Sequence, residues 1–283
     1  MSRHVEISDT RLHVVERGGE GLPLLVLHGG PALDHHLFGD YLDPLGDEFH
    51  LVLVDQRSQG LSDRAPIETW TLERMAADVG ELAEAMGFDR YATLGHSYGA
   101  FVVLQHAVDH PGHAAATIVS SGVPSARYLA AVEQNLAAFE PVELREQVTR
   151  SWAREQEAQT AEECEALLHD QLPFHFADPR DPRMADFERR TAGMVTSPDM
   201  LRHFATADYG AIEVEDRLAA IPQPTLVLAG RHDRVCVVAA GEAIAAGIPG
   251  AELVVFEHSG HLTYAEENEA YLAAVRSFLQ SVP

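Results

Sequence analysis

Four apolar runs limit what this chain can become: "PLLVLHGG" (23–30), "FHLVLVDQR" (49–57), "YATLGHS" (91–97) and "AATIVSSG" (115–122). Each is continuous rather than alternating, and each ends in Gly, Asp or Ser or runs just past one. A strand with apolar side chains on both faces is covered on both faces, which is the condition of a strand in a parallel sheet. Parallel neighbours need crossovers, and helical patterns lie between the runs. "TLERMAADVGELAEAMG" (71–87) carries an apolar stripe at Leu72, Met75, Val79, Leu82 and Met86, and "YGAFVVLQHAVDHPG" (98–112) follows the third run at once. Ahead of them, "HVEIS" (4–8) and "RLHVVER" (11–17) alternate as an antiparallel pair does.

The rhythm breaks from residue 123 to residue 206. That stretch is rich in Ala, Glu, Gln and Arg and has no β-branched run, so it predicts a helical cap (lid) insertion, with helices divided near Pro141 and Thr160. Alternation then resumes with strand "QPTLVLAGRHD" (223–233), helix "AAGEAIAAGI" (239–248), strand "AELVVFEHSGH" (251–261) and helix "ENEAYLAAVRSFLQ" (267–280). The expectation is an α/β fold in which residues 1–122 and 207–283 build a mainly parallel central sheet flanked by helices.

Charge narrows the partners. Acidic residues outnumber basic ones 44 to 20, the net charge is -24, and lysine is absent. Such a surface repels nucleic acid and anionic lipid, so neither is an expected partner. No run of eighteen apolar residues suggests a membrane span, and "MSRHVEISDT" has no apolar core of a secretory leader. The two cysteines, Cys164 and Cys236, do not make a disulfide framework. A cytoplasmic protein acting on a small molecule or short peptide is expected, and no apolar stripe marks an oligomer contact.

Ligands of parallel sheets bind beyond the carboxyl ends of the strands, where the chain places its polar residues. Gly95-His96-Ser97-Tyr98-Gly99 fits G-x-S-x-G between a buried strand and a helix, the context that turns a weak pattern into a nucleophile. Two glycines remove the Cβ atoms that would clash in so sharp a turn, and the helix N-terminus favours developing negative charge. A serine hydroxyl needs a base, and the base an orienting acid, at later strand ends. Asp233 follows the strand in "LAGRHDRV" and His261 follows the strand in "FEHSGHLTYAEE". His258 is the rival base, and Asp55 is a rival acid that precedes the serine. Oxyanion donors are expected from the backbone N–H of Tyr98 and of Gly30. Neither a metal nor a cofactor is needed by this set, and the histidines do not cluster at ligand spacing along the chain.

Together these residues resemble the α/β-hydrolase fold, and within it the proline iminopeptidase group of serine aminopeptidases. "LHGGPALDHHLF" is similar to that group's His-Gly-Gly-Pro-Gly loop, and "LVDQRSQGLSDR" to its Asp-Gln-Arg-Gly segment. "GRHDRVCV" and "GAELVVFEHSGHLTYAEE" are similar to its acid and histidine loops. The resemblance implies a Ser97, Asp233, His261 triad, an acyl-enzyme, and release of N-terminal proline or a small residue. It also implies acidic cap residues that hold a substrate ammonium, for which Glu188, Asp199, Glu213 and Glu215 are candidates. Ala32 and Ser58 stand where the group has glycine, and Arg234 follows the acid, where a cation facing the pocket would oppose an ammonium. Esterase, lactonase, amidase or carbon–carbon bond hydrolase action is the alternative. A ligand-binding receptor built on a hydrolase-like site is the alternative from another class.

Overall fold

The computed structural model describes residues 1–282. Eight strands form one sheet: β1 (Ser2–Glu6), β2 (Arg11–Gly18), β3 (Pro23–Leu27), β4 (His50–Val54), β5 (Ala92–His96), β6 (Ala116–Ser120), β7 (Thr225–Gly230) and β8 (Glu252–Phe256). Their order is β1-β2-β4-β3-β5-β6-β7-β8. The first hairpin and the β2–β4 pair are antiparallel. Every pair from β4 through β3 to β8 is parallel. The continuous apolar runs are the parallel strands, as expected. The strands end at Leu27, Val54, His96 and Ser120, so Gly29, Asp55, Ser97 and Ser121 lie in the segments beyond the carboxyl ends.

Both faces of these strands are buried, for a visible reason. Leu25, Leu27, Val52 and Val54 point into one core, with Leu72, Met75, Val79 and Leu82 of α1 (Leu72–Ala85). Residues of α2 (Tyr98–Asp109) join the same core. Leu24, Val26, Leu51 and Leu53 point the opposite way, into a second core. The period of two divides each run between two helical layers, each costly to expose.

Between β6 and β7 the chain forms α3 (Ala131–Ala137), α4 (Val142–Arg154), α5 (Ala161–His175), α6 (Met184–Arg190) and α7 (Pro198–Ala205). Thr160 caps α5 by accepting the N–H of Glu163, whose carboxylate in turn accepts the N–H of Thr160. After β7 come α8 (Val238–Gly247), the short α9 (Thr263–Glu266) and α10 (Asn268–Ser281), whose Tyr271, Leu272, Val275, Phe278 and Leu279 close the second core. No helix among the described residues is long and apolar enough to cross a membrane.

Candidate active site

The turn from β5 into α2 is tight because glycine permits it. A Cβ on Gly95 would lie 2.1 Å from the Gly99 carbonyl oxygen, and one on Gly99 would lie 2.3 Å from that of Leu27. Ser97 between them sits at φ 54°, ψ -118°, a conformation L-residues rarely adopt. Its N–H is anchored to the Ser120 carbonyl at 2.9 Å, while its hydroxyl caps nothing. Strain held in place by neighbours leaves a partly exposed hydroxyl at the start of a helix. Gly99→Ala must push α2 off β3, so we expect a loss of about 1–3 kcal/mol or more in chemical denaturation. A variant as stable as the wild type would mean that the turn has room for the extra methyl.

Asp233 and His261 come together. The His261 Nδ1 lies 2.8 Å from one Asp233 carboxylate oxygen, and both residues are buried. The other Asp233 oxygen accepts the N–H groups of Val235 and Cys236 at 2.8 and 2.9 Å, which fixes the carboxylate's direction. The rival base His258 is exposed and lies outside this pair. The rival acid Asp55 is committed elsewhere, to His13 and His35.

The loop after β3 is held by its own histidine. His28 Nδ1 donates to the Gly29 carbonyl at 2.7 Å and its Nε2 accepts the Gln56 N–H at 3.2 Å. Burial pushes this imidazole's pKa down, which suits the neutral form that such a pattern requires. A Cβ on Gly29 would lie 3.1 Å from the Ser97 Cβ, so the loop passes directly beside the serine. Gly30 has φ +119°, and among the described residues its N–H makes no backbone hydrogen bond. Tyr98 is the first residue of α2, where no intrahelical carbonyl is available to its N–H. The two positions that depart from glycine keep glycine-like backbones, with φ 82° at Ala32 and 62° at Ser58. Bonds hold them there: the Ala32 N–H donates to Gln59 at 2.6 Å, and the Ser58 hydroxyl accepts the Ala65 N–H at 2.9 Å.

The four acidic candidates each hold a partner of their own. Glu188 is exposed and bonds His169, and Asp199 is exposed and pairs with Arg202. Glu213 accepts from the Ser125 hydroxyl at 2.7 Å, and Glu215 pairs with Arg127 at 2.6 Å. A carboxylate that sequence reasoning passed over is buried instead. Glu155, just after α4, receives Gln171 Nε2 at 2.8 Å and the Tyr209 hydroxyl at 2.7 Å, and burial raises its pKa. In "WAREQE" it reads as one more solvated helix charge, and nothing in the pattern marks it out.

Arg234 resolves the doubt attached to it. Its guanidinium donates to the carbonyls of Phe174, Phe176 and Ala177 at 3.2, 2.6 and 2.8 Å, so it is spent on the end of α5 and the residues just after it. The same strap accepts the His261 N–H at the His175 carbonyl, 2.7 Å away. The His175 ring lies 5.4 Å from that of His261, and its Nδ1 donates to the Gln171 carbonyl at 3.1 Å. Burial, with His261 alongside, brings the His175 pKa down to about 3.

Glu266 closes this corner by accepting the N–H groups of Gly260 at 2.7 Å and Ala177 at 2.8 Å. Burial raises its pKa to about 7, against the lowering effect of those two bonds. The folded state therefore takes up this proton more readily than the unfolded one. Its stabilising contribution is complete below the ordinary glutamate range and is lost as pH rises through 7, by roughly 3 kcal/mol. Melting temperatures from pH 4.5 to 8 should fall more steeply for the wild type than for Glu266→Gln; parallel curves would show that this carboxyl ionises normally.

Residues 23–268 match the family model for the alpha/beta hydrolase fold. The chain is 29% identical over 278 residues to a proline iminopeptidase of Saccharolobus solfataricus, covering 93% of this chain and 86% of that one. It is similar to the structure of a proline iminopeptidase of Mycobacterium smegmatis, with a TM-score of 0.77, 25% identity and coverage of 99% and 98% of the two chains. An esterase of Exiguobacterium antarcticum superposes with the same TM-score at 23% identity, over 99% of this chain and 100% of that one. With the sheet order, the glycine-framed serine turn and the paired Asp and His at its strand ends, the match settles the family: the chain belongs to the α/β-hydrolase fold family and is a hydrolase.

Proposed function

We propose that this hydrolase is of the serine type, works through an acyl-enzyme, and removes N-terminal proline or another small residue from short peptides. The observation that carries the mechanism is the 2.8 Å Asp233–His261 pair beyond the same strand ends as the strained Ser97 turn. With Nδ1 bound to the carboxylate, His261 has Nε2 left to take the Ser97 proton as the hydroxyl attacks a carbonyl. Asp233 holds the tautomer and stabilises the imidazolium that forms. The Gly30 and Tyr98 N–H groups receive the oxyanion. His261 returns the proton to the departing amine, and water then releases the acyl group.

Glu155 supports the aminopeptidase reading. Its hydrogen bonds come from an amide and a phenol, both neutral, so its buried charge lacks a countercharge that a substrate ammonium would supply. The proline iminopeptidases among its relatives point the same way. Chromophore release from a proline arylamide tests the reading, beside an N-acetylated proline arylamide and a short acyl ester. The free-amine substrate should turn over and the acetylated one should not. Glu155→Gln should lower kcat/KM for the free amine by about 100-fold, on the scale of a buried charge pair, and leave the ester rate unchanged. Ester turnover alone would remove the peptidase assignment and leave a serine esterase.

A further inference from the structure

We propose that Asp34, His35 and His36 bind one divalent transition-metal ion of the zinc class, with Asp55 as the outer carboxylate that orients His35. The three residues are consecutive, and the turn that starts at Asp34 gathers their side chains. Asp34 and the two histidines after it each offer a ligand atom, and these atoms lie within 4.8 Å of one another. The His36 Nδ1 is 3.1 and 3.0 Å from the two Asp34 oxygens. These are hydrogen-bond distances, so an ion would replace the proton that His36 now shares with Asp34.

Asp55 completes the pattern. One of its oxygens holds the His35 Nδ1 at 2.7 Å, which leaves Nε2 as the nitrogen that His35 can offer to an ion. A carboxylate behind a ligating histidine fixes the ring and raises its basicity. Asp55 is itself held by the His35 and Leu61 N–H groups at 2.9 and 3.0 Å and by the His13 Nδ1 at 2.8 Å. Gly60 lets the two aspartates converge: a Cβ there would lie 2.5 Å from an Asp55 oxygen and 2.7 Å from the Asp34 Cβ.

Charge gives the second argument. Asp34 and Asp55 are both fully buried. Among the described residues neither is paired with an arginine, and the chain has no lysine. Arg64 spends its donors on the carbonyls of Ser58, Gly60 and Ser62. Beside backbone N–H groups, the two buried carboxylates are faced by imidazoles and by no arginine, and a divalent ion would bring two units of positive charge. The two-nitrogen, one-oxygen donor set favours zinc, cobalt or nickel over magnesium or calcium. His36, with its side chain 34% exposed, gives the ion a route from solvent. Asp34 also accepts the Val195 N–H at 2.9 Å, so a bound ion would clamp the loop that carries Gly30 to the helical insertion.

The test uses the full chain stripped with EDTA and titrated with zinc by calorimetry, and with cobalt for its visible d–d absorption. We expect one ion per chain and a melting temperature raised by a few degrees at an ion concentration about 100 times Kd. His36→Ala should weaken binding at least 100-fold. Asp34→Asn serves as the second variant, and circular dichroism confirms that each is folded. A double His110→Ala, His113→Ala variant disrupts another histidine group, just past the end of α2, and should keep the titration. No binding by the wild type would overturn the proposal. So would binding unchanged in both loop variants, or binding lost only with His110 and His113. None of these readouts depends on catalysis, so failure here leaves the serine-hydrolase reading where it stands.

Discussion

Ser97→Ala should abolish hydrolysis of every substrate the protein accepts, with kcat reduced by about 10⁵- to 10⁶-fold, and leave the folded state nearly as stable as the wild type. The first half follows from the proposed mechanism, in which loss of the hydroxyl leaves His261 no proton to take and no acyl-enzyme forms. The second half follows from what the hydroxyl does not do. It caps no helix, and the anchor of this residue is its backbone N–H on the Ser120 carbonyl, which alanine keeps. Ser97→Gly separates the two roles further. It is equally inactive, yet it relieves a backbone at φ 54°, ψ -118° that costs roughly 1–3 kcal/mol for an L-residue. Set against glycine's extra chain entropy, a gain near 1 kcal/mol remains. Progress curves with the proline arylamide and the ester, beside urea denaturation of the three proteins, decide both halves. Residual turnover in Ser97→Ala within tenfold of the wild type would remove Ser97 from the mechanism.

Arg57→Met should cost about 3–5 kcal/mol of stability and lower the melting temperature by roughly 10 °C, with no residue of the active site touched. Arg57 is a fully buried guanidinium. It grips Asp78 through two bonds of 2.8 and 2.6 Å and reaches Asp9 at 2.7 Å. Removing it leaves Asp78 buried with Arg74 as its remaining cation, at 2.7 Å. Burial already raises the Asp78 pKa against the pull of both arginines, and losing one of them raises it further. The variant's deficit should therefore shrink as pH falls and Asp78 takes up a proton. Arg57→Met combined with Asp78→Leu should recover much of the loss, because no orphaned charge is left behind. A single variant as stable as the wild type would mean that water reaches this pair.

Where periodicity and glycine speak, the chain is transparent. The continuous apolar runs identify the parallel strands because burial on both faces leaves no polar alternation; Thr160 marks the start of α5 by capping it, and Pro141, which caps nothing, stands before α4 because proline's fixed φ suits a helix start and not an interior. That Ser97, Asp233 and His261 lie just beyond strand ends is legible, because each follows an apolar run beside glycines that have a steric reason. The surroundings of the acidic residues were not legible. Glu188, Asp199, Glu213 and Glu215 look no different in sequence from Glu155, and only packing against Gln171 and Tyr209 sets Glu155 apart. Arg234 was equally opaque, since its three acceptors lie 57 to 60 residues away. Side-chain identity carries the strands and turns, while long-range backbone partners carry the rest.

The strap from Phe174 to Ala177 meets the catalytic loops through main-chain atoms. Its carbonyls take Arg234 and the His261 N–H, and its Ala177 N–H takes Glu266. Any amino acid offers those carbonyls, and any but proline offers that N–H. Side-chain substitutions along the strap that keep its backbone path should therefore leave Asp233 and His261 in place.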